Sequence, residues 1–443
     1  MHIIRFLVLT VVLGFSSMAT AQNLTLLRDP DIEYALKKLA EPVLQAAGLS
    51  PSRVDILVIN DRRLNAFVID QRHIFIHSGL LLKMKTPAML QSVIAHEAAH
   101  ISNGHLANRR FAARNAQVAA QIGAALAVAA AVAAGAPEAI GPAATGVATG
   151  AQRRFFGHTR AEESAADQSG LRYMARAGID TKGAQQVMEI FRGQEALSAA
   201  RQDPYARTHP LSSDRLRVIR RLSDAYADKA RPQPDADYWF ARAKGKLSAF
   251  QRSPKWTLNR VGEYGFEDVK MMRQAVAWHR SSDFSKADSA MRRALAQRPN
   301  DPYLLELHGQ ILMENRKFSL ATKAYGRAAS LAPDNALILG SYGRALLANG
   351  QTAKARDTLE RARARDGRDS RILRDLASAY AKQGNRGMAS LLTAERYALI
   401  GRLKDANLHA ERASKALPRG SGAWQRAQDV LSAVKAAASK KRR

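Results

Sequence analysis

A mainly α fold with one small antiparallel β-sheet, continued by an α-solenoid, is what this 443-residue sequence predicts. Three observations carry the prediction. Short β-branched runs are confined to Val54–Ile59, Ala66–Ile69 and His73–Ile76. Next comes an apolar helical stretch, Pro87–Leu106, with His96-Glu97-Ala98-Ala99-His100 at its centre. Beyond residue 272, small residues recur every 34 positions.

In chain order, Arg5, the apolar run Phe6–Phe15 and Ala19-Thr20-Ala21 read as an export signal over residues 1–21. The run is shorter than the ~20 residues a membrane span needs. The mature chain is therefore expected from Gln22, in a bacterial periplasm. There is no cysteine, which excludes disulfides, thiolate metal ligands and a cysteine nucleophile. A net charge of +29 favours anionic partners, membrane headgroups among them. Export and the lack of a clustered aromatic and basic platform argue against nucleic acid.

Ile32, Leu36, Leu39 and Val43 mark a helix over Asp29–Ala47, stopped by Gly48. After the three strands, Ser78–Lys85 and Pro87–Leu106 are predicted helices. Val118–Gly150 is almost wholly Ala, Gly, Val and Ile, broken by Pro137 and Pro142, and reads as a helix with a loop over the cleft that can touch a membrane. Helices follow over Thr159–Ala177, Lys182–Glu195 and Ser212–Ala225, the last with Arg215, Arg217, Arg220 and Arg221. A connecting region, 232–272, leads to the repeats. There Ala294, Ala328 and Ala362 stand 34 apart, as do Gly309 and Gly343, and Gly350 and Gly384. That period is the tetratricopeptide signature, a stacked helix–turn–helix unit. Tyr303, Tyr325, Tyr342 and Tyr380 fill space between the helices, and Lys404–Leu417 resembles one more second helix. Lys440-Lys441-Arg442-Arg443 reads as a disordered basic tail.

The chemistry is concentrated on His96, Glu97 and His100. Residues four apart on a helix share a face, so both imidazoles can hold one Zn²⁺, with nitrogens ~2.0–2.1 Å from it. Glu97, about 100° round the helix, is placed to take a proton from water beside the metal. A hydrolytic zinc site needs a third protein ligand, and without cysteine it is His, Asp or Glu. Glu163 and Asp167 lie four apart on one helix face, so one can ligate while the other supports it. An exposed sheet edge beside such a helix can pair with an extended substrate.

H-E-x-x-H followed by Glu163-Ser164-Ala165-Ala166-Asp167 resembles the M48 zinc metallopeptidases, of gluzincin type. Asn65-Ala66-Phe67, His77-Ser78-Gly79-Leu80-Leu81, His105 and Thr208-His209-Pro210 match as well. The resemblance implies that His96, His100 and Glu163 hold one zinc ion, that Glu97 is the catalytic base, and that Asp167 is a further active-site acid or orienting carboxylate. It implies Asn65, Ala66 and Phe67 as the substrate edge strand, and His209 as a fourth ligand that keeps the enzyme latent. His105, five positions after His100 and about 140° round the helix, reads as structural, as does His77. The chain departs from the family where Val68-Ile69-Asp70-Gln71-Arg72 replaces a Gly-rich turn, and its repeats are unusually basic.

The expected organisation is an export signal (1–21), a zinc peptidase domain (22–231), a helical connector (232–272), a tetratricopeptide domain (273–430) and a basic tail (431–443). The resemblance implies a periplasmic zinc endopeptidase acting on misfolded or stalled outer-membrane proteins. Its repeats would recruit polypeptide substrates or an outer-membrane assembly machine. The alternative is a chaperone-like assembly factor whose protease site is largely latent.

Overall fold

The computed structural model describes residues 25–107, 160–198 and 201–442. The export signal, the Val118–Gly150 stretch and Thr159 lie outside the described residues. Among the described residues no helix is long and apolar enough to cross a membrane.

Strand β1 (Leu26–Leu27) leads into α1 (Pro30–Ala46), whose N-cap Asp29 accepts from the amides of Asp31 and Ile32. Those amides would otherwise be orphaned at the helix start. The predicted stop holds: Gly48 lies at φ +71°. Then follow β2 (Asp55–Ile59), β3 (Ala66–Val68) and β4 (His73–His77). The sheet order is β1-β2-β4-β3, and β2 pairs with β4 in parallel while the other two pairings are antiparallel. The sheet is thus mixed, where a wholly antiparallel one was expected. Ile74, Phe75 and Ile76 are buried on both faces of β4, and that apolar strand takes a central slot, leaving β3 at the edge. Asp70 caps the β3–β4 turn by accepting from the amides of Arg72 and His73.

Helix α2 (Ser78–Lys83) runs into α3 (Pro87–Ser102), which is buried from Met89 to Ile101. A helix apolar on all sides belongs in a core. Thr86 caps it, accepting from the Met89 amide, and Pro87 sits in its first turn, where a missing N–H costs nothing. Around it pack α1, α4 (160–176), α5 (Lys182–Ile190), α6 (Pro204–Thr208), α7 (Ser213–Ala225) and α8 (Pro234–Gln251). Helix α8 lies in the connecting region, yet Phe240, Ala243 and Leu247 belong to the core around α3 while Tyr238 and Ala249 belong to the next one.

After the short α9 (Pro254–Leu258) come the repeat helices α10 (Glu267–Arg280), α11 (Phe284–Gln297), α12 (Pro302–Glu314), α13 (Phe318–Leu331), α14 (Ala336–Ala348), α15 (Thr352–Arg365), α16 (Ser370–Lys382), α17 (Arg386–Leu399), α18 (Leu403–Ala416) and α19 (Gly422–Arg442). The period has a physical basis. A Cβ on Gly309 would lie 2.8 Å from the Tyr325 ring, and one on Gly343 2.4 Å from Leu359, so a notch on each first helix receives a side chain of the second. Tight turns between paired helices place Ser282, Arg316, Gly350 and Gly384 at φ 60°, 58°, 76° and 77°, again 34 residues apart. The last residues are helical up to Arg442 and not a disordered tail. The alanines at 436–438 favour helix strongly enough to carry the basic residues with them.

Candidate metal centre and active site

Helix α3 brings His96, Glu97 and His100 to its face toward α4, where Glu163 and Asp167 point back. The crossing is close: a Cβ on Gly170 would meet the Ala95 and His96 backbone at 3.3 Å. Glycine there lets α4 carry its two carboxylates onto the histidines.

His96, His100, Glu163 and His209 each offer one ligand atom, all within 4.8 Å of one another and all buried. His96 Nε2 lies 3.1 Å from His100 Nε2 and 3.1 Å from His209 Nδ1. Glu163 Oε2 stands 2.9 Å from His209 Nδ1 and 3.3 Å from His96 Nε2, and Oε1 3.3 Å from His100 Nε2. Four ligand atoms about 2.0–2.1 Å from one centre stand roughly 3.3 Å from each other, so the spacing suits a single Zn²⁺. Three imidazoles and a carboxylate are also the donor types zinc takes in the absence of thiolate. The residues fit the metal.

Each ligand is held from behind. Asp167 Oδ1 lies 3.0 Å from His96 Nδ1, which fixes the ring with Nε2 facing the cluster. His105 Nδ1 lies 2.9 Å from His100 Nδ1. The structural reading of His105 stands, but not the helical path to it: α3 ends at Ser102, and Gly104 at φ +72° turns the chain so that His105 folds back. His77 is 3.6 Å from Asp61, away from the metal ligands.

Arg215 on α7 is the residue that spacing did not single out. It donates to Asp167 through Nε (2.7 Å) and Nη2 (2.9 Å), and to the carbonyls of His209 (3.3 Å) and Pro210 (2.7 Å) through Nη1. Among four arginines on that helix it alone shares the buried face with Ile219 and Ser223, at steps of four. That register was the available signal. Burial opposes ionisation of Asp167, yet Arg215 and His96 hold its carboxyl below the usual range. Burial likewise pushes against the charge on His96, but Asp167 and Glu163 raise it to about 10, whereas burial takes His100 down to about 3.

His209 ends α6, with its ring 4.7 Å from that of Tyr205 and Nδ1 in the cluster. Its Nε2 lies 3.3 Å from Glu97 Oε1 and 3.3 Å from the Ala66 carbonyl. Tyr205 donates its amide to the Leu64 carbonyl, and Thr208 Oγ1 donates to Asn65 Oδ1. The α6 segment therefore lies across the start of β3, while Phe67 and Val68 are only half-buried. The structure thus places Glu97, Asp167, Asn65 and Ala66 beside the four-residue donor cluster, while Phe67 packs on Phe75 further along the edge strand.

Residues 27–223 match peptidase family M48, and residues 268–392 match the cytochrome c-type biogenesis protein H TPR domain. The donor cluster in the first of these regions fits a metallopeptidase, and the helical repeats in the second resemble tetratricopeptide repeats. The chain is similar to the beta-barrel assembly-enhancing protease of Escherichia coli K12, with 26% identity over 89% of this chain and 81% of that protein. The putative beta-barrel assembly-enhancing protease of Vibrio cholerae is 26% identical over 64% of this chain and 59% of its own length, so that match spans less than two thirds of the relative. The chain is also similar to mitochondrial metalloendopeptidase OMA1 of Schizosaccharomyces pombe, at 27% identity over 42% of this chain and 51% of that one. Among solved structures, MamA MSR-1 C2 is 18% identical over 37% of this chain and 96% of its own, with a TM-score of 0.32.

Proposed function

We propose that this protein is a periplasmic zinc endopeptidase of the cell envelope, acting on misfolded or stalled outer-membrane proteins that its repeats recruit. The observation that carries the chemistry is the convergence of His96, His100, Glu163 and His209 beside Glu97. The names of the E. coli and V. cholerae relatives, beta-barrel assembly-enhancing proteases, support the envelope setting. The proposed division is a peptidase domain to residue 231, a connector over 232–272 and repeats over 273–430, with contact to the membrane surface through the basic exterior.

Zinc bound there would polarise a scissile carbonyl and acidify a water. Glu97, fully buried at the mouth of the cluster, takes the proton of the attacking water and passes it to the leaving amine. Asp167 and Arg215 keep His96 aimed, and His105 keeps His100 aimed. The free side of β3 receives the substrate backbone, with Asn65, Ala66 and Phe67 aligning the bond to be cut.

In this arrangement His209 holds the fourth ligand position and its other nitrogen faces Glu97, which suits a latched enzyme. The same observation favours the second reading, an assembly factor whose protease site is mostly silent. Glu97→Gln is expected to keep zinc, measured by metal analysis, and to lose chelator-sensitive casein cleavage; full cleavage by that variant would sink the peptidase assignment. His209→Ala is expected to raise basal casein cleavage severalfold, and an unchanged rate would remove the latch. Rescue of an envelope defect by Glu97→Gln would select the second reading.

A further inference from the structure

Among the described residues eight large apolar side chains are well exposed, and three of them share one turn: Leu399, Ile400 and Leu403, at 46%, 38% and 37%. The turn joins α17 to α18, and every residue from Leu399 to Lys404 is exposed. Apolar side chains scattered singly over a surface need no explanation, but a cluster marks a contact. The repeat period makes this cluster a departure. Asp301, Asn335 and Asp369 stand 34 residues apart and accept from amides in the first turns of α12, α14 and α16. The next position in that register is Leu403, and α18 has no side-chain cap. There the register changes from polar to apolar.

A further repeat waiting to stack does not explain it. Helix α19 already covers the end of the solenoid, where Ala427 packs with Leu391 and Ala413, and Val430 with Ala394 and Ala406. Leu399, Ile400 and Leu403 lie outside that packing. The turn also satisfies its own backbone, since Ile400, Gly401 and Arg402 donate to the carbonyls of Arg396, Ala398 and Tyr397. Such a turn leaves water at little cost. Its surroundings are positive. Arg386–Arg442 carry twelve Lys and Arg against four Asp and Glu. Arg402 holds Asp405 and Arg426 holds Glu395, while Arg396, Lys404 and Lys435 have no ion-pair partner among the described residues. Across from Glu395, the end of α15 adds Arg361, Arg363 and Arg365 against Glu360 and Asp366. Leu431 and Val434 join Tyr397 and Ala398 in one cluster, so α19 leaves the solenoid beside this turn and ends in Lys440, Lys441 and Arg442.

We propose that the α17–α18 turn docks on an anionic lipid bilayer, its three apolar side chains entering the headgroup layer inside a collar of Lys and Arg. The inference rests on the membrane contact proposed above, to which it gives a place, and is independent of the peptidase chemistry. Apolar insertion and attraction to anionic headgroups add in peripheral binding. Tyr397 suits the same boundary: its ring lies beneath Arg396 and Arg402, 5.4 and 4.6 Å from the centroid, and tyrosine favours the membrane–water interface. A second copy of a chain with net charge +29 is a poor occupant, because like charge repels it.

The test uses the full chain as purified after export, zinc-loaded, with vesicles of phosphatidylcholine alone or mixed with phosphatidylglycerol. In flotation it is expected to bind the anionic vesicles about tenfold more tightly than the neutral ones. Leu399→Gln, Ile400→Gln and Leu403→Gln together are expected to weaken that binding about tenfold, with an unchanged melting temperature. The chain has no cysteine, so Ile400→Cys carrying an environment-sensitive fluorophore reports on the turn alone. Its emission is expected to shift to the blue with anionic vesicles, and that of Leu320→Cys, exposed near the start of α13, to stay unchanged. An unshifted label at position 400, or undiminished binding by the triple variant, overturns the turn as the docking site and leaves membrane contact to another surface. No vesicle binding by the parent removes the membrane contact as well. Self-association that the triple variant abolishes, without vesicle binding, overturns the proposal in favour of a second copy as the occupant.

Discussion

Glu306 is buried on α12, where Ser341 Oγ donates to its Oε1 at 3.1 Å. Burial raises its carboxyl to about 7, against the pull of Lys246, and Asp29 adds to the rise. A carboxyl raised above its unfolded value adds stability that is complete below the unfolded pKa and lost as pH rises through the folded one. Glu306→Gln is therefore expected to melt higher than the parent at pH 8, by an amount on the order of 2–3 kcal/mol, and to match it near pH 4. A gap that stayed constant with pH would contradict this. At the same scale, the candidate metal ligands and their supporting carboxylate were readable because their spacing is local: His96 with His100, and Glu163 with Asp167, each sit one helical turn apart. Arg215 was not, since its worth comes from a contact 48 positions away with Asp167, and three neighbouring arginines look the same in sequence. The same holds for His105, which depends on the left-handed turn at Gly104.

The repeats show which features of an element are written locally. Asp29, Thr86 and Ser212 all accept from amides of the helices they precede, and the starts of those three helices were accordingly placed within a residue or two. Asp301 caps a repeat helix in the same way. Strand order was not legible, because alternation identifies a strand without naming its neighbours. At the inter-helix turns, Gly350 and Gly384 adopt a left-handed backbone at no steric cost, whereas Ser282 and Arg316 do so with a side chain attached. Arg316→Gly is thus expected to stabilise the protein by about 0.5–1 kcal/mol, less the entropy glycine brings to the unfolded chain, seen as a higher urea midpoint. The reverse substitution, Gly350→Arg, is expected to destabilise it; stabilisation there would contradict the turn argument.

Across the whole molecule, peptidase and solenoid are joined through buried charge. Arg242 on α8, fully buried, lies 3.0 Å from Asp31 of α1 and 2.8 Å from Asp301, the cap of α12, and Lys246 lies 2.9 Å from Asp29. Removing one partner of such a cluster strands the others, at a cost of about 3–5 kcal/mol. The parent is expected to unfold in one calorimetric transition, and Arg242→Met to lower the midpoint and split off a second; two transitions in the parent would show that the halves fold independently. The sequence suggested a connector over 232–272, and the structure makes its first helix a shared wall, because Arg242 reaches back 211 positions to Asp31 and ahead 59 positions to Asp301, pairings that leave no local trace.

That distance sets an order of events during synthesis. Asp29 and Asp31 emerge first, but their cations arrive only with α8, and Arg28 waits for Asp366, 338 residues downstream. Contacts so far apart in the chain form late, after the intervening segments have collapsed. Helix α1 also packs on α3, where Gln91 donates to the Leu39 carbonyl at 3.1 Å, so the metal-bearing helix lacks its finished support until the first repeats have folded. A hydrolase assembled in that sequence completes its cutting centre only once the repeats behind it have begun to fold, which limits indiscriminate digestion by half-made copies.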